Sequence, residues 1–113
     1  MAFQMNYTTM KGANYAESYW RIGWYQADRN SKNGRVRFDC YFDQAAREAN
    51  AELNVLESKN YVITGDDFTA VFELDGDIRE AMYDYALTCP DGEPPAEGEP
   101  DTRVSFFATA TVV

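Results

Sequence analysis

The 113 residues carry 19 acidic and 10 basic side chains, a formal net charge of −9 at pH 7, and no histidine. That balance argues against nucleic acid as the main ligand, because phosphate binding needs a basic footprint, and against an anionic membrane surface. With 45% hydrophobic and 15% aromatic residues, the chain suits one domain, residues 1–113, with an aromatic-rich core or interface.

Ala2–Thr9 alternates, with Phe3, Met5 and Tyr7 on one parity, and predicts a short strand at a sheet edge or reaching to a neighbour. The first ten residues lack an apolar stretch of signal-peptide length, so no secretory leader is expected. No apolar run approaches the roughly 18 residues that suggest a membrane-spanning helix. Lys11–Asn14 reads as a loop.

Residues 17–43 form the centre of the reading. Two alternating runs flank Arg29–Gly34, and Asn33-Gly34 favours the positive φ of a hairpin turn. Trp20, Ile22 and Trp24 share one parity, as do Val36, Phe38, Cys40 and Phe42, which predicts one apolar face and places both tryptophans in the core. The opposite face gathers Tyr19, Arg21, Tyr25, Arg35, Arg37 and Tyr41. Tyrosine and arginine are enriched at protein interfaces. The same residues also suit cross-strand packing on a solvated face.

Asp43 can cap a short alanine-rich helical turn over residues 44–51. Leu53–Leu56 and Tyr61–Thr64 suggest one interrupted strand or two short ones, with a polar break at Glu57–Asn60. Phe68, Val71 and Phe72 share a helical face within residues 67–74. Asp77 with Glu80 resembles a capping box, opening the main helix at 78–88. The segment 90–101 holds all four prolines and five acids and predicts an extended, solvated loop. It also suits an arm that orders on a partner. In the last stretch, Val104, Phe106, Ala108, Ala110 and Val112 share one parity and predict a long strand beside the central hairpin. The fold class is therefore α+β, a mainly antiparallel, hairpin-centred, sandwich-like sheet with one main helix and short helical turns.

The residues supply little chemistry. Without histidine the usual general base and both His-containing triads are missing. Cys40 and Cys89 have no CxxC partner, which argues against zinc, and free thiols in a reducing compartment are expected. Asp66/Asp67 and Asp75/Asp77 offer oxygen ligands for Ca²⁺ but not the spacing of an EF-hand loop, and helix capping explains them better. No phosphate-loop pattern is present, nothing singles out a catalytic carboxylate pair, and neither cofactor nor metal is expected.

The opening Met1-Ala2-Phe3-Gln4, Asn6-Tyr7-Thr8, the Tyr-Trp-Arg-Ile of 19–22 and Tyr41-Phe42-Asp43-Gln44-Ala45-Ala46-Arg47 come first in a longer series of features. Asn60-Tyr61-Val62-Ile63 before Gly65-Asp66-Asp67-Phe68, a Tyr-containing helix and Phe106-Phe107-Ala108-Thr109-Ala110 complete it. Taken together, and over nearly the whole chain, this order resembles a group of small uncharacterised proteins encoded among tailed-phage structural genes. The acidic Pro-rich loop is a departure, being longer than in that group. The resemblance implies a non-enzymatic virion structural protein of the tail or baseplate, assembled in the host cytoplasm in repeated copies. Its partners would be other virion proteins and copies of itself. No catalytic residues come with it. The contact candidates are Arg21, Tyr25, Arg37 and Tyr41, with the first strand as a second surface. The rival readings are a capsid decoration protein, a carbohydrate-binding module using tryptophan or tyrosine platforms, and a small enzyme.

Overall fold

A computed structural model describes residues 1–9 and 11–113. Among the described residues, five antiparallel strands form one sheet in the order β4-β3-β2-β1-β5. They are β1 (Phe3–Thr8), β2 (Asn14–Asp28), β3 (Asn33–Tyr41), β4 (Glu57–Thr64) and β5 (Thr111–Val112). Three helices among the described residues accompany them: α1 (Gln44–Ala49), α2 (Gly65–Phe72) and α3 (Ile78–Thr88). The class is α+β, as the sequence implied.

One face of the sheet is covered. Phe3, Trp20, Val36, Phe38, Cys40, Tyr61 and Ile63 point there and meet Phe68, Val71 and Phe72 of α2, Met82, Tyr83 and Ala86 of α3, and Phe107. Helix α3 starts where sequence reasoning put it, because Asp77 Oδ1 accepts from the amides of Arg79 and Glu80. Aromatic rings dominate this core: the Phe3 ring lies 5.1 Å from Tyr83 and 4.4 Å from Phe107 between centroids. Such pairs add about 0.5–1.5 kcal/mol each beyond area burial.

Several elements differ from the sequence reading. In the hairpin turn the left-handed residue is Lys32, at φ 51°, and Gly34 already lies in β3. Gly34 is needed for a different reason: a Cβ there would lie 2.3 Å from Phe72 Cε2. The polar stretch Glu57–Asn60 is strand, and the apolar Leu53 and Leu56 before it are exposed. Pairing along β3, from Cys40↔Glu57 to Asn33↔Thr64, outweighs the local preference of those polar residues. The final stretch is a strand only at Thr111–Val112, which pairs with β1 and not with the central hairpin. Residues 105–109 turn instead, burying Phe107 in the core and leaving Val104 exposed. Strand β1 therefore pairs with β2 along its length and with β5 at Phe3 and Gln4. The segment 90–101 is irregular, as expected, apart from a bridge at Pro90 to Ser105.

Candidate interaction face

The other face of the sheet is shaped by one bulge. Ile22 pairs with Phe38, but the next pair is Trp24 with Arg37, so Gly23 is an extra residue in β2. A bulge breaks the two-residue alternation, and residues beyond it change sides. Trp24 therefore leaves the core face and is 46% exposed on the other. Tyr25, opposite Val36, goes the opposite way, and its ring stacks on Phe72 of α2 at 6.4 Å. The expectation that Trp24 is core, and that Tyr25 shares a face with Arg21, Arg37 and Tyr41, is corrected by this single insertion. Phe42 also falls outside the core. It follows the end of β3, is 56% exposed and lies edge-on to Tyr15.

Glycine at the bulge permits a close approach. A Cβ at residue 23 would sit 1.9 Å from Asp39 Oδ2 and 3.2 Å from Arg37 Nη2. Asp39 is only 3% exposed, a cost for a carboxylate unless it is paired and hydrogen-bonded. Arg37 Nε donates to its Oδ1 at 2.9 Å and Arg37 Nη2 to its Oδ2 at 3.3 Å. Ser58 Oγ donates to Oδ1 at 2.8 Å. On the far side of the sheet, the Tyr83 hydroxyl of α3 accepts from the Ile22 amide beside the bulge at 3.1 Å. Burial raises the Tyr83 pKa, so the hydroxyl stays neutral there.

One end of this face is closed. Asp43 Oδ1 caps α1 by accepting from the Ala46 amide at 2.8 Å, and Asn54 Nδ2 ties the following turn back to the Ala46 carbonyl at 2.7 Å. That turn lies over Tyr41, whose hydroxyl donates to the Ala51 carbonyl at 3.0 Å. Tyr41, Tyr19 and Ala2 are buried in a small cluster under Val55. Burial, with Asp39 as the next cause, raises the Tyr41 pKa. Of the four contact candidates, Arg21 and Arg37 thus border one surface, Tyr41 lies beneath it and Tyr25 is on the reverse side.

What remains open carries four arginines against three acids, Asp28, Asp39 and Glu52, a slight positive excess on an acidic chain. Arg21, Arg37 and Arg47 border a groove of about 430 Å³ with Asp39 in its floor and Glu52 at its rim. Toward the hairpin turn lies a second hollow of about 370 Å³, where Gln26, Arg35 and Asp28 meet. The rows Trp24–Arg37–Asn60 and Gln26–Arg35–Val62 cross the strands in between. Four of the 10 basic residues, Arg21, Arg35, Arg37 and Arg47, thus gather on this face. Among the described residues, Arg37 makes an ion pair, with Asp39, while Arg21, Arg35 and Arg47 make none. Sequence reasoning named Arg35 on this face but gave no role to Arg47. The Asp43 cap signals where α1 begins, but not that α1 brings Arg47 to this face.

Both cysteines are free thiols. Cys40 is buried, with its pKa pushed up to about 12 by burial and then by Glu57. Among the described residues, no helix is long and apolar enough to cross a membrane. Comparisons with protein families, curated proteins and solved structures find no match.

Proposed function

We propose that this chain is a non-enzymatic structural protein of a tailed-phage virion, used in repeated copies in the tail or baseplate, with the open sheet face as its contact surface. The observation that supports a contact role is Trp24, 46% exposed and flanked by Arg35 and Arg37 on the part of the face that α1 and its following turn leave open. Tryptophan and arginine are the side chains most often found at the energetic centre of protein interfaces. The phage assignment rests on the sequence features that run from Met1-Ala2-Phe3-Gln4 to Phe106-Phe107-Ala108-Thr109-Ala110.

The test is the paired substitution Trp24→Ala with Arg35→Ala. Both side chains are exposed, so the variant should fold and then fail to enter particles. Normal incorporation would contradict the contact role of this face. One observation also favours glycan binding: an exposed tryptophan beside polar groups is a stacking platform for a sugar ring. Saturable quenching of Trp24 fluorescence by an oligosaccharide, with no incorporation into particles, would move the reading there.

A further inference from the structure

We infer that copies of this chain join head to tail, with the acidic Pro-rich segment of one copy lying along the basic sheet face of the next. The inference rests on the proposed repeated-copy role and names the contact that would carry it. The match is of unpaired groups: three glutamates of the segment meet three arginines that lack an ion pair among the described residues, with Asp28 and Glu52 at the borders of the same hollows. Segment 90–101 contains Asp91, Glu93, Glu97, Glu99 and Asp101. Asp91 pairs with Lys59 of β4 at 2.6 Å, which ties the start of the segment to the sheet, and Asp101 pairs with Arg103, two residues further on, at 2.9 Å. Arg103 Nη1 also donates to the Gly92 carbonyl at 3.2 Å. Glu93, Glu97 and Glu99 lie between Asp91 and Asp101, exposed and without an ion pair among the described residues. Three arginines on the open face, Arg21, Arg35 and Arg47, are likewise without an acidic partner.

The prolines add a second complementarity. Pro94-Pro95 favours the polyproline II conformation, whose backbone makes no internal hydrogen bonds and loses little entropy on docking. Such segments settle on aromatic side chains in shallow grooves. Trp24 is the large exposed aromatic at the middle of the basic face, with a hollow on either side of it. A segment with prolines at its middle and glutamates on both sides would therefore set Pro94-Pro95 on Trp24 and reach arginines toward both hollows. Donor segment and acceptor face are different parts of the same chain, so the contact is heterologous and propagates into a ring or a filament.

The experiment is sedimentation velocity of the purified full chain over a concentration series at low and high salt. Self-association that weakens as salt rises is expected, because exposed charges are screened beyond about a Debye length. The triple variant Glu93→Gln, Glu97→Gln, Glu99→Gln should weaken association by roughly tenfold or more, from the loss of three exposed pairs. Trp24→Ala should weaken it as well, and near-UV circular dichroism should show both variants folded. Most directly, an Arg35→Glu, Arg47→Glu chain and a Glu93→Lys, Glu97→Lys, Glu99→Lys chain should each lose self-association and recover it when mixed. A monomer at all concentrations and salts would overturn the inference, and so would association untouched by the glutamine variant. A monomeric chain whose segment cross-links to its own Arg35 would overturn it too, by showing that the arm folds back. None of these failures bears on whether the chain is found in virions, which particle purification decides separately.

Discussion

Replacing Gly23 with alanine should destabilise the protein far more than an exposed strand position would suggest. The new methyl would lie 1.9 Å from Asp39 Oδ2 and 2.6 Å from its Cγ, so the carboxylate must move. Moving it strains its bonds to Arg37 Nε, Arg37 Nη2 and Ser58 Oγ, at 2.9, 3.3 and 2.8 Å. Overpacking alone costs about 1–3 kcal/mol, and a buried charge deprived of its partner costs about 3–5 kcal/mol. Because Asp39 can keep part of its network by tilting, a loss of about 3 kcal/mol is expected. With an unfolding entropy of about 2.1 cal/mol/K per residue, the 113 residues give about 0.24 kcal/mol/K, so Tm should fall by about 12 °C. Thermal and urea unfolding followed by circular dichroism would measure this. A double-mutant cycle isolates the cause: once Asp39→Ala has removed the obstructing carboxylate, adding Gly23→Ala should cost little more. A fall of less than about 1 kcal/mol for Gly23→Ala alone, or full additivity with Asp39→Ala, would refute the argument that Gly23 is there to seat Asp39.

Other outcomes follow from the same packing. Trp20 is 1% exposed and Trp24 46%, so acrylamide should quench a red-shifted component that Trp24→Phe removes, while Trp20→Ala costs about 3–5 kcal/mol. The Tyr61 hydroxyl is buried with no hydrogen-bond partner among the described residues, so Tyr61→Phe should leave stability unchanged or raise it by about 1 kcal/mol in urea titrations. At pH 8 iodoacetamide should label Cys89 well before Cys40, whose pKa near 12 keeps it a thiol; mass spectrometry of peptides would read the order. Burial also raises Cys40 from an ordinary value of 9.0 to about 12, and burial with the Glu57 hydrogen bond raises Tyr7 from 10.0 to about 12. Above pH 9 the unfolded chain therefore loses protons that the folded chain keeps, and stability should decline as pH climbs from about 9 to 12. A flat urea midpoint across that range would contradict the placement of both groups. Joint mutation of Arg37 and Tyr41 should destabilise the domain, since Arg37 neutralises Asp39 and Tyr41 is bonded to the Ala51 carbonyl; it is not a clean probe of the surface.

The sequence made most period-two segments and the caps at Asp43 and Asp77 legible, but not that of α2, where Thr64 is the N-cap without a side-chain bond and Asp66 and Asp67 lie within the first turn instead of capping it. It failed also where long-range pairing or a single insertion decided. Asp43 and Asp77 open their helices because a local side chain satisfies local amides, which spacing alone reveals. Alternation assigned Trp20, Phe38 and Cys40 to the core correctly. It misplaced Trp24 and Tyr25 because parity arguments assume an unbroken ladder, and the only hint of the break was Gly23 within an otherwise bulky strand. Residues 105–109 alternate as a strand does, yet they turn to bury Phe107 beside Phe3 and Trp20. The basic face was half legible: Arg21, Arg35 and Arg37 follow from the hairpin, whereas Arg47 arrives from α1, whose docking no local pattern encodes.

The central claim is that this chain is built into virions at the tail. The direct measurement is to purify particles produced by a genome encoding it, detect the chain by mass spectrometry, and label the particles with gold-conjugated antibody. Gold at the tail or its tip is the expected result. Gold over the head would replace the tail assignment with capsid decoration, and absence of the chain from well-purified particles would contradict the account.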